Sequence, residues 1–211
     1  MQFFITGTGT NIGKTFILEN ICKKLIADGK KLSVIKPIIS GFSADDLNSD
    51  SAKILKILGK DLNQQNFDKI SPYRFFAPLS PNIAADLENT NIDFLELMHF
   101  CQNKIATAKK KNSYLLIEGA GGVMTPINHD KTFVHLIAKL NIPTILVIGN
   151  YLGTISHTLS AITAMQYYNI NIAKIVLNCR DDDQINANDT LRTLITQTQN
   201  LTFTTTLDVL D

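Results

Sequence analysis

Cysteine is scarce in this 211-residue chain, and its three thiols, Cys22, Cys101 and Cys179, are odd in number, far apart and without a Cys-x-x-Cys pair. That pattern excludes a disulfide framework and a cysteine-built zinc site, and it fits a reducing cytoplasm. Charge of one sign is missing too: 20 basic side chains face 19 acidic ones, a formal net charge of +1, so neither a nucleic-acid footprint nor a polybasic membrane surface is expected. The one compact basic run, Lys109-Lys110-Lys111, falls at a predicted helix end, where cations favour the dipole. No apolar run approaches membrane-spanning length, and Lys14 interrupts the early apolar stretch, so the expectation is a soluble, unexported protein. His99, His129, His135 and His157 form no pair at metal-ligand spacing and read as surface or loop hydrogen-bonders. Asp181-Asp182-Asp183 lacks the glycine and distal glutamate of a calcium loop and reads as a solvated turn. Internal repeats and low-complexity linkers are absent, and the length suits one α/β domain over residues 1–211.

What is present begins at the second residue. Gln2-Phe3-Phe4-Ile5-Thr6 has the composition of a buried strand and runs into Gly7-Thr8-Gly9-Thr10-Asn11-Ile12-Gly13-Lys14-Thr15. Glycines let backbone N–H groups turn toward an anion, a following helix offers its positive end, Lys14 supplies a mobile cation, and Thr15 a hydroxyl for a magnesium ion. The strict phosphate-loop pattern is stretched by one residue, so context has to carry the argument. The loop is followed by Ile17, Leu18, Ile21, Cys22, Leu25 and Ile26 on one helical face, with Gly29 as the C-terminal stop.

Period and punctuation predict further strands over residues 32–36, 114–118, 144–148, 172–177 and 201–205, and helices over 14–28, 49–58, 93–109, 132–140, 154–168 and 188–198. This alternation predicts an α/β fold, a parallel β-sheet flanked by helices on both faces. Ligands of such sheets sit beyond the carboxyl ends of the strands. Lys36-Pro37, Glu118-Gly119-Ala120-Gly121-Gly122, Gly149-Asn150 and Asn178 should therefore share a rim with the phosphate loop. Lys36 projects toward that loop or is a surface lysine at a strand end; Glu118 is a carboxylate suited to Mg²⁺. Asp50, at a helix start, is either a metal ligand or a plain cap. Tyr167 and Tyr168, closing a helix with Leu159, Ile162 and Met165, suit core or dimer packing.

The blocks Gly7 to Thr15, Lys36-Pro37-Ile38-Ile39-Ser40-Gly41, Asn48-Ser49-Asp50, Ser71-Pro72-Tyr73-Arg74-Phe75, Pro78-Leu79-Ser80-Pro81, Glu118 to Gly122 and Leu152-Gly153-Thr154-Ile155-Ser156-His157 resemble, in order and spacing, those of the dethiobiotin synthetases, whose fold is P-loop NTPase-like. The resemblance implies an ATP- and Mg²⁺-dependent ligase that joins CO₂ to 7,8-diaminononanoate and closes the cyclic urea of dethiobiotin. It implies catalytic Lys36 and Lys14, Mg²⁺ on Thr15, Asp50 and Glu118, and nucleotide contacts from Thr10, Asn11, Ile12, Gly13, Phe16, Gly119, Ala120, Gly121, Asn178 and Cys179, with Asn178 reading the adenine edge. Substrate would meet Thr10, Lys36, Ser40, Leu152 and Gly153, the last two from the loop 151–156 at the interface of a homodimer.

The chain departs from that family where many members carry acids, here Gly9 and Asn11, and where many carry a lysine, here Tyr151. Its last residues, from Thr204 onward, lack the usual Gly-x-Ile/Leu-Pro segment, which predicts weak selectivity for ATP over other nucleoside triphosphates. Two rivals share the loop and sheet. An amidoligase or cobyrinate-type synthetase usually appends a glutamine-hydrolysing domain; a partition-type or metal-insertion ATPase, acting as a nucleotide switch, carries a second lysine early in the loop, where this chain has Thr8, Gly9 and Thr10.

Overall fold

Six parallel strands form the central sheet of the computed structural model, which describes residues 1–180, 183–198 and 201–205. In chain order the elements are β1 (Gln2–Gly7), α1 (Lys14–Ala27), β2 (Leu32–Ile35), β3 (Ile38–Ser40), α2 (Asp50–Ile57), α3 (Gln64–Ile70), β4 (Tyr73–Phe75), α4 (Pro81–Leu87), α5 (Phe94–Lys110), β5 (Tyr114–Glu118), α6 (Phe133–Leu140), β6 (Thr144–Gly149), α7 (Thr154–Tyr167), β7 (Ile172–Asn178), α8 (Ala187–Thr198) and β8 (Phe203–Thr205). The sheet order is β2-β5-β1-β6-β7-β8, and β3 pairs with β4 in a separate two-stranded parallel sheet. The chain leaves β1 first toward β2 on one side and later returns to β6 on the other, so the end of β1 is where connections diverge and a crevice opens.

The apolar runs explain the layering. Phe4, Ile5, Leu115, Leu116, Ile117, Ile145, Leu146, Val147 and Ile148 are all buried, so these strands are covered on both faces rather than alternating. Phe4 and Phe133 of α6 approach with ring centroids 6.5 Å apart. Each such fully buried side chain contributes about 1.5–3 kcal/mol of burial free energy. On α1, Ile17, Leu18, Ile21, Cys22 and Leu25 face the sheet as the spacing predicts, whereas Ile26, assigned to the same face, is 47% exposed because it has rotated past the edge of the stripe. Gly29 adopts φ 66° just beyond the helix and donates to the Ile26 carbonyl, the stop expected of it.

Strand 114–118 matches its predicted bounds, and the other five predicted strands and all six predicted helices occur within two residues at each end. Four elements between residues 38 and 87 were not expected: β3 and β4 have three residues each, α3 and α4 seven, too short to display a period. Asn150, placed on the ligand rim by sequence, instead ties the sheet to α8: its Nδ2 donates to the Ile185 carbonyl at 2.6 Å and its Oδ1 accepts from Thr190 at 2.9 Å. The turn 181–183 lies partly, and residues 206–211 wholly, outside the described residues. No helix among the described residues is long and apolar enough to cross a membrane.

Candidate functional site

The phosphate loop takes its shape from two residues with left-handed backbone, Asn11 (φ 57°) and Gly13 (φ 98°), flanking Ile12. Alternation of this kind turns successive N–H groups to one side and makes an anion nest. Glycine is required at 13 on a second ground: a methyl group there would lie 2.0 Å from Asn178 Nδ2. Gly13 is the N-cap of α1 and brings no capping side chain, so the first-turn N–H groups remain for an anion.

Lys14 is buried and donates from Nζ to the Gly9 carbonyl at 2.7 Å, arching back over the loop. Burial, with the neighbouring Lys36 second, lowers its pKa from 10.5 to about 8, against the partial support of Glu118 and Asp50. Lys36 follows the last residue of β2; its backbone N–H donates to the Ile70 carbonyl, and Pro37 ends the ladder. It is not a surface lysine. Its ammonium is buried, 2.5 Å from Asp50 Oδ2 and 2.7 Å from Glu118 Oε1. Burial alone would lower its pKa, but the two carboxylates outweigh that and raise it above the ordinary lysine value. Asp50 is held below the usual carboxylate range, the Lys36 charge prevailing over burial.

Asp50 is not the cap of its helix. Ser49 caps α2, its hydroxyl accepting from the Ala52 N–H at 3.3 Å, which frees the Asp50 carboxylate to reach Lys36. Glu118, at the end of β5, is fully buried; its Oε1 accepts from Thr15 Oγ1 at 2.7 Å and from Lys36, and its Oε2 has no hydrogen-bond partner among the described residues. A buried carboxylate oxygen without a donor is costly unless a cation serves it. Thr15, Asp50 and Glu118 thus offer a hydroxyl and two carboxylates, hard oxygen donors of the type Mg²⁺ takes together with phosphate oxygens and water. Nowhere among the described residues do three or more His, Cys, Asp or Glu side chains gather as a self-sufficient metal site. Two carboxylates and a hydroxyl leave positions of a six-coordinate cation open to the oxygens of an anionic ligand and water.

These groups line one cleft of about 1040 Å³. Of the residues singled out from sequence, Thr10, Asn11, Gly13, Lys14, Thr15, Phe16, Lys36, Ser40, Asp50, Glu118, Ala120 and Gly121 lie on its wall. Ser40, on β3, has a hydroxyl without a partner among the described residues. The remaining ones do not line it. Ile12 is buried beneath the loop, where a methyl group on Gly7 would come within 2.3 Å of its Cδ1. Gly119 donates to the Ile5 carbonyl and backs onto Phe4 and Phe133. Asn178 is buried with its Nδ2 on the Ile12 carbonyl at 2.9 Å, so that half of its amide is committed to the loop. Cys179 is exposed next to it. Leu152, 92% exposed, and Gly153, the N-cap of α7, stand away from the cleft, and Gly153 borders a second, open groove with Met124, Ile155, Leu159, Ala164 and Tyr167. Tyr167 is 80% exposed, which removes core packing as its role.

Sequence reading missed Lys53 and Arg180, both on the cleft wall. The signals were available: Lys53 is one helical turn after Asp50 on α2, and Arg180 follows Asn178 by two residues, the interval that returns a side chain to the same side of an extended chain. With Lys14 and Lys36 they give the wall four cations against the carboxylates of Asp50 and Glu118, an environment for a polyanion. Three of the four histidines are hydrogen-bonded as expected: His129 meets Asp86 at 3.1 Å, His135 closes a capping box with Thr132, and His157 Nδ1 meets Tyr151 Oη at 2.9 Å.

A family model described as an AAA domain matches residues 1–210. The ATP-dependent dethiobiotin synthetase BioD of Caulobacter sp. (strain K31) is 40% identical over 177 residues, 83% of this chain and 74% of that protein. The enzyme of the same name from Phenylobacterium zucineum (strain HLK1) is 36% identical over 184 residues, 87% and 78% of the two chains. Among solved structures, a ParA family ATPase from Chlorobium tepidum TLS shares the fold with a TM-score of 0.54 at 14% identity, covering 97% of this chain and 82% of that one. A likeness at that identity is one of fold alone and gives the nucleotide-switch reading no separate support. Identity of the size seen with the synthetases, along most of both chains, places the protein: it belongs to the ATP-dependent dethiobiotin synthetase family.

Proposed function

We propose that this protein uses ATP and Mg²⁺ to join CO₂ to 7,8-diaminononanoate and close the ring of dethiobiotin, in the cytoplasm, with residues 1–211 acting as one synthetase domain. The observation that carries the site chemistry is the buried Lys36 ammonium, fixed between Asp50 and Glu118 on the wall of the phosphate-loop cleft. One substrate amine captures CO₂ as a carbamate. A carbamate oxygen then takes the γ-phosphoryl group of ATP, the bond to the β-phosphate oxygen breaks, and ADP leaves. The second amine attacks the carbonyl carbon of this mixed anhydride, loses a proton and expels inorganic phosphate.

The residues divide this work by the hydrogens they have left. An ammonium has three donors. Lys36 uses one on each carboxylate, so its third is free for a carbamate oxygen, in a position the carboxylates hold before substrate arrives. Lys14 uses one on Gly9 and keeps two for the transferring phosphoryl group. The N–H groups of the loop from Asn11 to Phe16 take phosphate oxygens, Ser40 offers its unpaired hydroxyl to the substrate, and Thr10, Ala120 and Gly121 border the reactants. Thr15, Asp50 and Glu118 would hold Mg²⁺, which when bound neutralises charge on the phosphate oxygens. The unpaired Oε2 of Glu118 supports that role. Asn178 keeps its Oδ1 for the adenine amino group, beside Cys179.

The open apolar groove beside α7, bordered by Gly153 and the exposed Tyr167, together with the exposed Leu152, supports a homodimer in which Leu152 and Gly153 meet the substrate tail in the partner's cleft. Incubation with ATP, Mg²⁺, the diamine and ¹³C-bicarbonate tests the reading: the label is expected in the ureido carbon of dethiobiotin. Lys36→Gln, assayed below its melting temperature, is expected to lose turnover while still binding nucleotide. An unchanged kcat would remove Lys36 from catalysis.

A further inference from the structure

We infer that Arg180 is a positioning residue of the phosphate loop, acting with Asn178 to set the direction of two consecutive peptide groups for the β- and γ-phosphates. Arg180 Nη2 donates to the Asn11 carbonyl, and Asn178 Nδ2 donates to the Ile12 carbonyl at 2.9 Å. In a trans peptide the carbonyl and the following N–H point in opposite directions. Drawing the Asn11 oxygen toward Arg180 therefore aims the Ile12 N–H the other way, and drawing the Ile12 oxygen toward Asn178 does the same for the Gly13 N–H. These are consecutive N–H groups of the nest whose left-handed residues are Asn11 and Gly13. Both clamping side chains come from one place, the carboxyl end of β7, with Asn178 as its last residue and Arg180 two positions on.

Arg180 is itself anchored, its backbone N–H on Asp183 Oδ2 at 2.8 Å, so the guanidinium reaches the loop from a fixed base. A neutral donor could hold the carbonyl; the guanidinium adds a positive charge to the cleft wall as well. This chain has Gly9 and Asn11 in the loop, without a carboxylate to compete for that charge.

The inference rests on the reading of the loop as a triphosphate cradle, and the test separates the two. Dissociation constants for ADP, AMP and adenosine are measured by calorimetry on the whole protein for wild type, Arg180→Met and Arg180→Lys. A charge-assisted hydrogen bond that presets the loop predicts about a tenfold weaker ADP affinity in Arg180→Met. AMP and adenosine, which do not reach the nest, are expected to bind Arg180→Met as they bind wild type, and Arg180→Lys, which keeps a charged donor, to recover most of the ADP affinity. Equal ADP affinity in wild type and Arg180→Met would overturn the inference, as would a loss shared equally by adenosine, the mark of a base-contacting or merely structural residue. Failure of the wild type to bind ADP would overturn the cradle reading and this inference together.

Discussion

Replacing Lys36 with methionine removes one charge from the least solvated part of the cleft while keeping nearly the same volume. Glu118 is fully buried, and without Lys36 its one hydrogen-bond donor among the described residues is Thr15; Asp50 keeps 36% of its side-chain surface in water and suffers less. Breaking a buried pair by deleting one partner costs about 3–5 kcal/mol because the other charge stays behind. For a chain of this size each kcal/mol moves the melting temperature by about 2–4 °C, so Lys36→Met should melt roughly 6–20 °C lower in buffer without divalent cations. Two additions sharpen the reasoning. Lys36→Met/Glu118→Gln, with both charges gone, should regain a large part of the loss, with a coupling of about 2 kcal/mol or more. Mg²⁺, which can serve the same carboxylates, should narrow the gap between Lys36→Met and wild type.

The pH dependence of that gap has a definite sign. Lys36 has a raised pKa, so its contribution is complete below the ordinary lysine value of 10.5 and is lost as pH rises through the higher folded value. Asp50 has a lowered pKa, so its contribution is complete above 3.8 and is lost as pH falls through the lower folded value. The difference in melting temperature should therefore be flat between about pH 5 and 9 and shrink in acid. Calorimetric melts read all of this. A Lys36→Met protein that melts with the wild type would refute the claim that this ammonium is a buried counter-ion, and with it the argument for its fixed position.

Other consequences are simpler to read. Lys14, with a pKa near 8 from burial and Lys36, is charged at neutral pH and neutral above that value, so ADP affinity should fall as pH rises through about 8 and binding there should take up a proton; pH-independent binding would contradict it. Glu118→Gln should raise the Mg²⁺ concentration needed for turnover, and an unchanged Mg²⁺ titration would exclude Glu118 as a ligand. Cys22 and Cys101 are buried with thiol pKa values pushed up to about 12, so a thiol reagent should titrate Cys179 alone in the folded protein; fast reaction of a second thiol would show the core opening.

The parts of the fold legible in sequence are those that carry long apolar runs or sharp punctuation. Leu115-Leu116-Ile117 could be little other than a buried strand, and Glu118 at its end was bound to reach the rim. The stretch from Lys36 to Leu87 resisted because its strands and helices are too short to repeat a pattern, and because Phe76, Leu79, Ile83 and Leu87 are exposed apolar residues that blur the buried face. Asp50 stayed ambiguous since aspartate both caps helices and pairs with cations; only the geometry of Ser49 assigns the cap. The spacing from Asn178 could have placed Arg180 on the cleft, but the grip of both side chains on the loop was invisible for another reason: their partners are backbone carbonyls 169 and 166 positions away, and every residue has a carbonyl, so no residue type signals the contact.

The most direct test of the account is phosphate release by the purified protein with ATP, Mg²⁺ and bicarbonate, measured with and without 7,8-diaminononanoate, alongside mass spectrometry for dethiobiotin. The account predicts release that depends on the diamine and matches dethiobiotin formed mole for mole. Hydrolysis of ATP indifferent to the diamine, with no dethiobiotin, would contradict it and turn the cleft into that of a nucleotide switch.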